Sequence, residues 1–252
     1  MDKQGNGYNI VSLGFFCSVA MELERIGLRG YSLPFDWVIS GNLASVLTLI
    51  ATRFEGFVSE RDMYQEFDIN PAYYHNKTCD IHFYHDFTAS HPLNDQFASF
   101  SDKYARRIKR FYKVIEEPTI FVRYCSGLEE LKYVFEHQQE ILELLQSFNP
   151  CNRILYVTSV DSPYEIESLI FVEKDTNGIV ARQFLQKLPQ LRGYLEENFY
   201  LRKDIPRNIR RYRIGKVKRF FMRIIQKGKG ILPVKTYRHD QQYQPVEEVK
   251  NE

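Results

Sequence analysis

The sequence lacks most of the features that announce a function. Its four cysteines, at positions 17, 79, 125 and 151, form no closely spaced pair, so no familiar zinc module is present. Their number and spread do not make the disulfide framework of a secreted protein either. The polar start MDKQGNG is unlike a signal peptide, and no apolar run approaches the roughly 20 residues that span a bilayer. Gly5-Asn6-Gly7 precedes a strand and has neither the lysine nor the following helix of a phosphate loop. No internal repeat is visible. These absences leave a cytoplasmic globular protein without a cofactor as the expectation.

What is present is an ordinary core composition with an uneven charge. A chain of 252 residues that is 44% hydrophobic and 26% charged can bury one good core and carry a small appendage. Aromatics are abundant, 19 Phe and 17 Tyr against the single Trp37, a surplus that fills cores and interfaces and also lines carbohydrate sites. Between residues 202 and 235, thirteen Lys or Arg stand against Asp204 alone, a local net of +12. The remainder then carries −10, since the whole chain is +2. This division predicts a body over 1–200, a basic appendage over 201–238 and a disordered tail over 239–252.

Within the body, strand and helix patterns alternate. Residues 8–13 read as a strand, 17–26 as a helix closed by Gly27, and 42–54 as a second helix capped by Ser40 or Asn42. Residues 80–87 are strand-like, and Phe100, Tyr104, Ile108, Phe111 and Ile115 recur at helical spacing. The clearest unit is strand 119–124, helix 128–148 and strand 153–157, the pattern of a parallel crossover. A further strand over 168–173 and more helix over 179–200 complete an α/β expectation: one sheet with helices on its faces.

Cys17 falls where the first helix begins, after a glycine that permits a sharp turn. The unpaired N–H groups and positive end of a helix favour thiolate, the reactive form, and supply donors for an oxyanion. Ser12 and Gly14 would shape the turn, leaving the N–H groups of Phe16 and Cys17 to face that oxyanion. The same position equally suits a small buried hydrophobe.

The stretch VSLGFFCSVAMELERIGLRGYSLPFDWVIS, residues 11–40, resembles the opening signature of a bacterial family of unknown function described as papain-like cysteine peptidases. The matching features are Ser12-Leu13-Gly14, Cys17, Gly27-Leu28-Arg29, Ser32 and Pro34-Phe35-Asp36-Trp37. Shorter matches follow at Phe83-Tyr84-His85-Asp86-Phe87, Tyr104-Ala105-Arg106-Arg107-Ile108 and Ile120-Phe121-Val122-Arg123. The resemblance implies a Cys–His pair with an acidic or amide orienter, a peptide-, amide- or acyl-bearing substrate, and an association with surface-polysaccharide synthesis. It also implies a papain-like α+β fold as the alternative to the single-sheet reading.

On that basis Cys17 is the expected nucleophile and His85 its general base. Alternation along a strand through residue 86 would put His85 on the inner face with Ile81 and Phe83. Asp161, after the apolar strand 154–157, is the expected orienting acid at a strand's carboxyl end. Arg29 and Arg123 are candidate grips for a carboxylate or phosphate, with an ion pair to a body acid as the alternative for Arg123. Asp36 is a candidate binding residue that a local turn would equally explain. His75, His82 and His91, with Cys79 and Asp86, match no familiar metal spacing, so no metal is expected. In the appendage, Ile214, Val217, Phe220, Phe221, Ile224 and Ile225 make an apolar stripe flanked by cations. This predicts peripheral attachment of 214–227 to the anionic inner membrane face, with a helix docked on the body as the equal alternative and nucleic acid as the lesser partner. A non-catalytic accessory protein is the rival to the enzyme.

Overall fold

Seven successive buried residues, Thr119–Cys125, set the architecture. A strand buried at every position is covered on both faces, which is the condition of a parallel sheet wrapped by helices. The computed structural model describes residues 7–66, 70–171 and 189–202. In it, β1 (Asn9–Ser12), β6 (Thr119–Cys125), β7 (Arg153–Thr158) and β8 (Leu169–Phe171) form a wholly parallel sheet in the order β1-β6-β7-β8. On one face Ile10, Ile120, Val122, Tyr124, Leu155 and Val157 meet Val19 and Leu23 of α1 (Cys17–Arg25) and Leu191 and Leu195 of α6 (Pro189–Asn198). Val11, Leu13, Phe121, Cys125, Ile154 and Tyr156 belong to the larger core. That core takes in α2 (Leu43–Ala51), α3 (Leu93–Ile115), α4 (Leu128–Glu136) and α5 (Gln138–Gln146).

The expectation of a single sheet is corrected. Between α1 and α3 lies a second, antiparallel sheet of β2 (Ile39–Ser40), β3 (Met63–Gln65), β4 (Tyr74–Asn76) and β5 (Ile81–Phe83), in the order β2-β5-β4-β3. Its strands hold only two or three residues each, too few for alternation to register in the sequence. Met63, Tyr74, Ile81 and Phe83 point into the same core as the parallel sheet. There the aromatic surplus is consumed: Phe35, Phe54, Phe57, Phe83, Tyr104 and Phe111 pack with centroid separations between 5.1 and 6.4 Å, mostly edge to face. Such pairs are worth about 0.5–1.5 kcal/mol each beyond their burial.

Two further boundaries differ. The strand expected through residue 87 stops at Phe83, and the helix expected over 128–148 breaks at His137 (φ −124°, ψ 20°). The crossover itself stands, since β6 and β7 pair in parallel on either side of α4 and α5. Among the described residues no helix is long and apolar enough to cross a membrane. The stripe at 214–227 and the tail at 239–252 lie outside the described residues.

Candidate functional site

The chain leaves β1 through a strained turn that delivers Cys17 to the first position of α1. Leu13 N–H still continues the ladder to Val122 O at 2.9 Å. Gly14 then takes φ 82° and Phe15 φ 88°, before Phe16 returns to extended backbone (φ −145°, ψ 163°) as the cap. A phenylalanine in the left-handed region costs about 1–2 kcal/mol and persists only where its surroundings impose it. Here Ser12 and Ser40 impose it. Gly14 N–H donates to Ser12 Oγ at 3.0 Å, Phe15 N–H to Ser40 Oγ at 3.1 Å, and Ser40 N–H back to Phe15 O at 3.1 Å. A Cβ on Gly14 would stand 2.9 Å from Ser40 Oγ and 3.3 Å from Phe35 O, so this glycine is required by both conformation and space.

Arg123 locks that turn from below. Its side chain is fully buried in β6, and its guanidinium ties α4, β2 and the turn together. Nε and Nη2 donate to Glu130 Oε1 at 2.8 and 2.6 Å, and Nη1 donates to Leu13 O at 3.1 Å and Ser40 Oγ at 2.6 Å. Nη2 also reaches Ser40 O at 3.2 Å. Of the two readings offered for Arg123, the geometry is that of the ion pair, with its donors committed to protein acceptors. Glu130 was not singled out in the sequence, and Ser40 was read there only as a candidate cap of the second helix, whose cap is Asn42. Glu130 had a faint signal, an acid one helical turn before Val134 on the buried face of α4. Ser40 had none, because its role depends on a strand pairing invisible locally.

Arg29 and Asp36 form a second buried clamp. Asp36 Oδ2 accepts from Arg29 Nε at 3.0 Å, Arg29 Nη2 at 2.9 Å and Leu33 N–H at 2.8 Å. Arg29 also donates to Glu24 Oε2 at 2.6 Å and Ser32 Oγ at 2.9 Å, and its guanidinium lies 5.2 Å from the Trp37 ring centre. Burial pushes the Asp36 carboxyl up, against the pull of Arg29 and the Leu33 N–H. The residues Gly27-Leu28-Arg29, Ser32 and Pro34–Trp37 thus fix the short 3-10 turn on which α1 packs. The local turn foreseen for Asp36 is what the geometry gives.

Cys17 itself is 8% exposed, and burial pushes its thiol up to about 11, with its own backbone N–H opposing only in part. Burial therefore works against the thiolate that a helix start favours. His85 is also relocated. With β5 ending at Phe83, the alternation that placed its ring inward no longer applies; His85 is exposed, edge-on to Trp37 at 6.3 Å and to Tyr84 at 5.2 Å. Trp37 belongs to the turn against which α1 packs, so His85 sits one ring away from that helix's support. Asp161 follows β7 as expected and is exposed. Because β6 lies between β1 and β7, the ends leading to Cys17 and Asp161 are two strand spacings apart, about 10 Å. One concavity among the described residues, bordered by Thr48, Glu55, Asp62 and Cys79, includes neither Cys17 nor His85. Among the described residues, one group with the spacing that could hold a metal ion lies elsewhere, at the β4–β5 hairpin: His75, Asp80 and His82.

Comparison with known proteins supports the family. A mimivirus protein of Acanthamoeba polyphaga, named "Uncharacterized protein R408", is 27% identical over 207 residues, covering 67% of this chain and 90% of that protein. No solved structure matches significantly. The match to a family model runs over residues 8–155, from β1 through the crossover into β7, and so includes the strained turn, both buried arginine clamps and His85. By that match the chain belongs to the family described as "Putative papain-like cysteine peptidase (DUF1796)".

Proposed function

We propose that this protein is a cysteine-nucleophile enzyme that hydrolyses or transfers an acyl group held as an amide or ester. The observation that carries the reading is the strained β1–Gly14–Phe15–Phe16–Cys17 turn, which spends backbone energy to set one thiol at a helix start. In this mechanism Cys17 Sγ attacks the substrate carbonyl carbon while the thiol proton passes to His85. First-turn N–H groups of α1, with Phe16 shaping their approach, stabilise the oxyanion. His85 then gives its proton to the departing amine or alcohol, and water or an acceptor hydroxyl releases the acyl group. Asp161 orients the imidazole. Because burial holds the thiol protonated, proton removal accompanies attack and no resting ion pair precedes it. The substrate class is peptide-, amide- or acyl-bearing, including glycan-linked acyl groups, and the basic stripe at 214–227 would bring the enzyme to an anionic membrane face.

A non-catalytic accessory protein of surface-polysaccharide synthesis is the second reading, favoured by the burial of Cys17. Acyl electrophiles separate the two. The Cys151→Ser protein, freed of its exposed thiol, is incubated with a panel of activated amides and esters and analysed by peptide mass spectrometry. The enzyme reading expects an acyl adduct on Cys17, turnover abolished by Cys17→Ala and slowed about 100-fold or more by His85→Ala. Turnover that survives Cys17→Ala, or acylation spread evenly over Cys79 and Cys125, overturns it.

A further inference from the structure

On the antiparallel sheet, two imidazoles share one carboxylate. His75 of β4 and His82 of β5 are direct cross-strand partners, and their rings stack 3.7 Å apart at an interplanar angle of 12°. His75 Nε2 lies 3.2 Å from Asp80 Oδ1, and His82 Nε2 lies 3.7 Å from the same oxygen. For His75 that is a hydrogen bond; for His82 it is outside hydrogen-bond range. His82 Nδ1 is buried with no hydrogen-bond partner, and Nε2 is the ring nitrogen turned toward the carboxylate.

The surroundings are arranged to aim Asp80 at this point. Asp80 adopts φ 51°, a left-handed conformation that turns its carboxylate back over the hairpin. Its other oxygen, Oδ2, accepts from Asn42 Nδ2 at 3.0 Å. Gly41 gives it room, since a Cβ there would come within 2.4 Å of Oδ2. On the far side, His75 Nδ1 faces Glu66 Oε1 at 3.6 Å, a carboxylate placed behind a histidine whose Nε2 points inward. Metal-ligating histidines commonly carry such an outer carboxylate, which fixes the ring and its tautomer.

We infer that His75 Nε2, His82 Nε2 and Asp80 Oδ1 form a binding site for one divalent transition-metal ion of the zinc class, with Asn42 and Glu66 as its outer supports. The three ligand atoms lie within 4.8 Å of one another. A tetrahedral zinc ion with bonds of about 2.0–2.1 Å separates its ligands by about 3.4 Å, and the two distances to Asp80 Oδ1 bracket that value. Two histidines and one carboxylate leave a coordination position open for water or a ligand. The sequence spacing concealed the set because His75 and His82 meet across strands, seven residues apart, where no helical or loop metal motif places them. Nothing in this site depends on Cys17 being a nucleophile.

The test uses tag-free, full-length Cys151→Ser protein, stripped with chelator and titrated with zinc against a chromophoric competitor. A parallel titration with cobalt reads the coordination directly through its visible absorption. The expected result is one equivalent bound, an intense four-coordinate cobalt spectrum, and a rise in Tm with zinc. His82→Ala and Asp80→Asn should remove the spectrum, and Asn42→Ala should weaken binding about 10-fold. Saturation that is unchanged in folded His82→Ala protein, or the lack of any cobalt spectrum and Tm rise in the parent, overturns the site. Should His82→Ala fail to fold, the parent spectrum and the Asn42→Ala affinity decide the matter by themselves.

Discussion

The turn before Cys17 and the β4–β5 hairpin handle their polar groups in opposite ways. Around the turn, the Ser12 and Ser40 hydroxyls and the Arg123 guanidinium are engaged with protein partners inside the fold. On the hairpin, one oxygen of Asp80 faces two imidazoles, and His82 Nδ1 is buried without a hydrogen-bond partner. A saturated network holds a backbone in one place, which suits the positioning of a single reactive atom. An under-satisfied cluster at a half-buried surface is arranged for something that arrives from outside. A row of rings joins the two regions, running His75, His82, Tyr73, Tyr84, His85 and Trp37. The candidate base thus stands at the end of the row nearest the turn.

The largest effect should come from breaking the saturated side. Arg123→Ala leaves Glu130 buried and unpaired and frees the Leu13 and Ser40 acceptors, so a loss of about 3–5 kcal/mol in urea unfolding is expected. His82→Ala in metal-free protein should cost about 1 kcal/mol, since it removes ring stacking but no hydrogen bond. Equal losses at the two positions would erase the distinction. The double change Arg123→Met with Glu130→Leu sharpens it: removing both charges should recover most of the single-variant loss.

A middle-sized effect is expected at Gly14. Alanine there must adopt φ 82° and press Ser40 Oγ from 2.9 Å, disturbing the bonds to Phe15 and Arg123 together. We expect about 1–3 kcal/mol of destabilisation, with a larger fractional loss of Cys17 acylation than of stability. Loss of stability with acylation rate unaffected would separate the turn from the chemistry.

Much of this was legible in the chain, and the exceptions have physical causes. The parallel sheet was readable because β6 and β7 are long apolar runs with a helical crossover between them, a signal carried locally. The antiparallel sheet was not, because strands of two or three residues are held by pairing with distant partners such as Ile39 with His82. That one omission displaced two later conclusions. It extended β5 past Phe83 and so turned His85 inward, and it hid the cross-strand meeting of His75 with His82. At Cys17 the position was legible but its electrostatics were not. A helix start is visible in sequence; how much core closes over it is not.

The last effect concerns that thiol and is read by pH. Burial raises Cys17 from its ordinary value to about 11, so folding favours the protonated form. Its contribution to stability is full below the unfolded value of about 8.5 and is lost as pH rises through about 11. Cys79 and Cys125 are raised by burial as well, so wild type alone would not isolate the effect. Comparison with Cys17→Ala does, because those other thiols titrate alike in both proteins. The wild-type advantage in urea unfolding should shrink by about 3 kcal/mol between pH 8 and pH 11. Alkylation of Cys17 in Cys151→Ser protein should likewise accelerate toward pH 11 without an earlier plateau. A difference that stays flat across this range, with alkylation already at its maximum near pH 7, would mean that the thiol is ionised in the resting protein. The turn would then resemble the hairpin in holding a charge ready for a ligand, and the general-base step assigned to His85 would give way to a preformed thiolate.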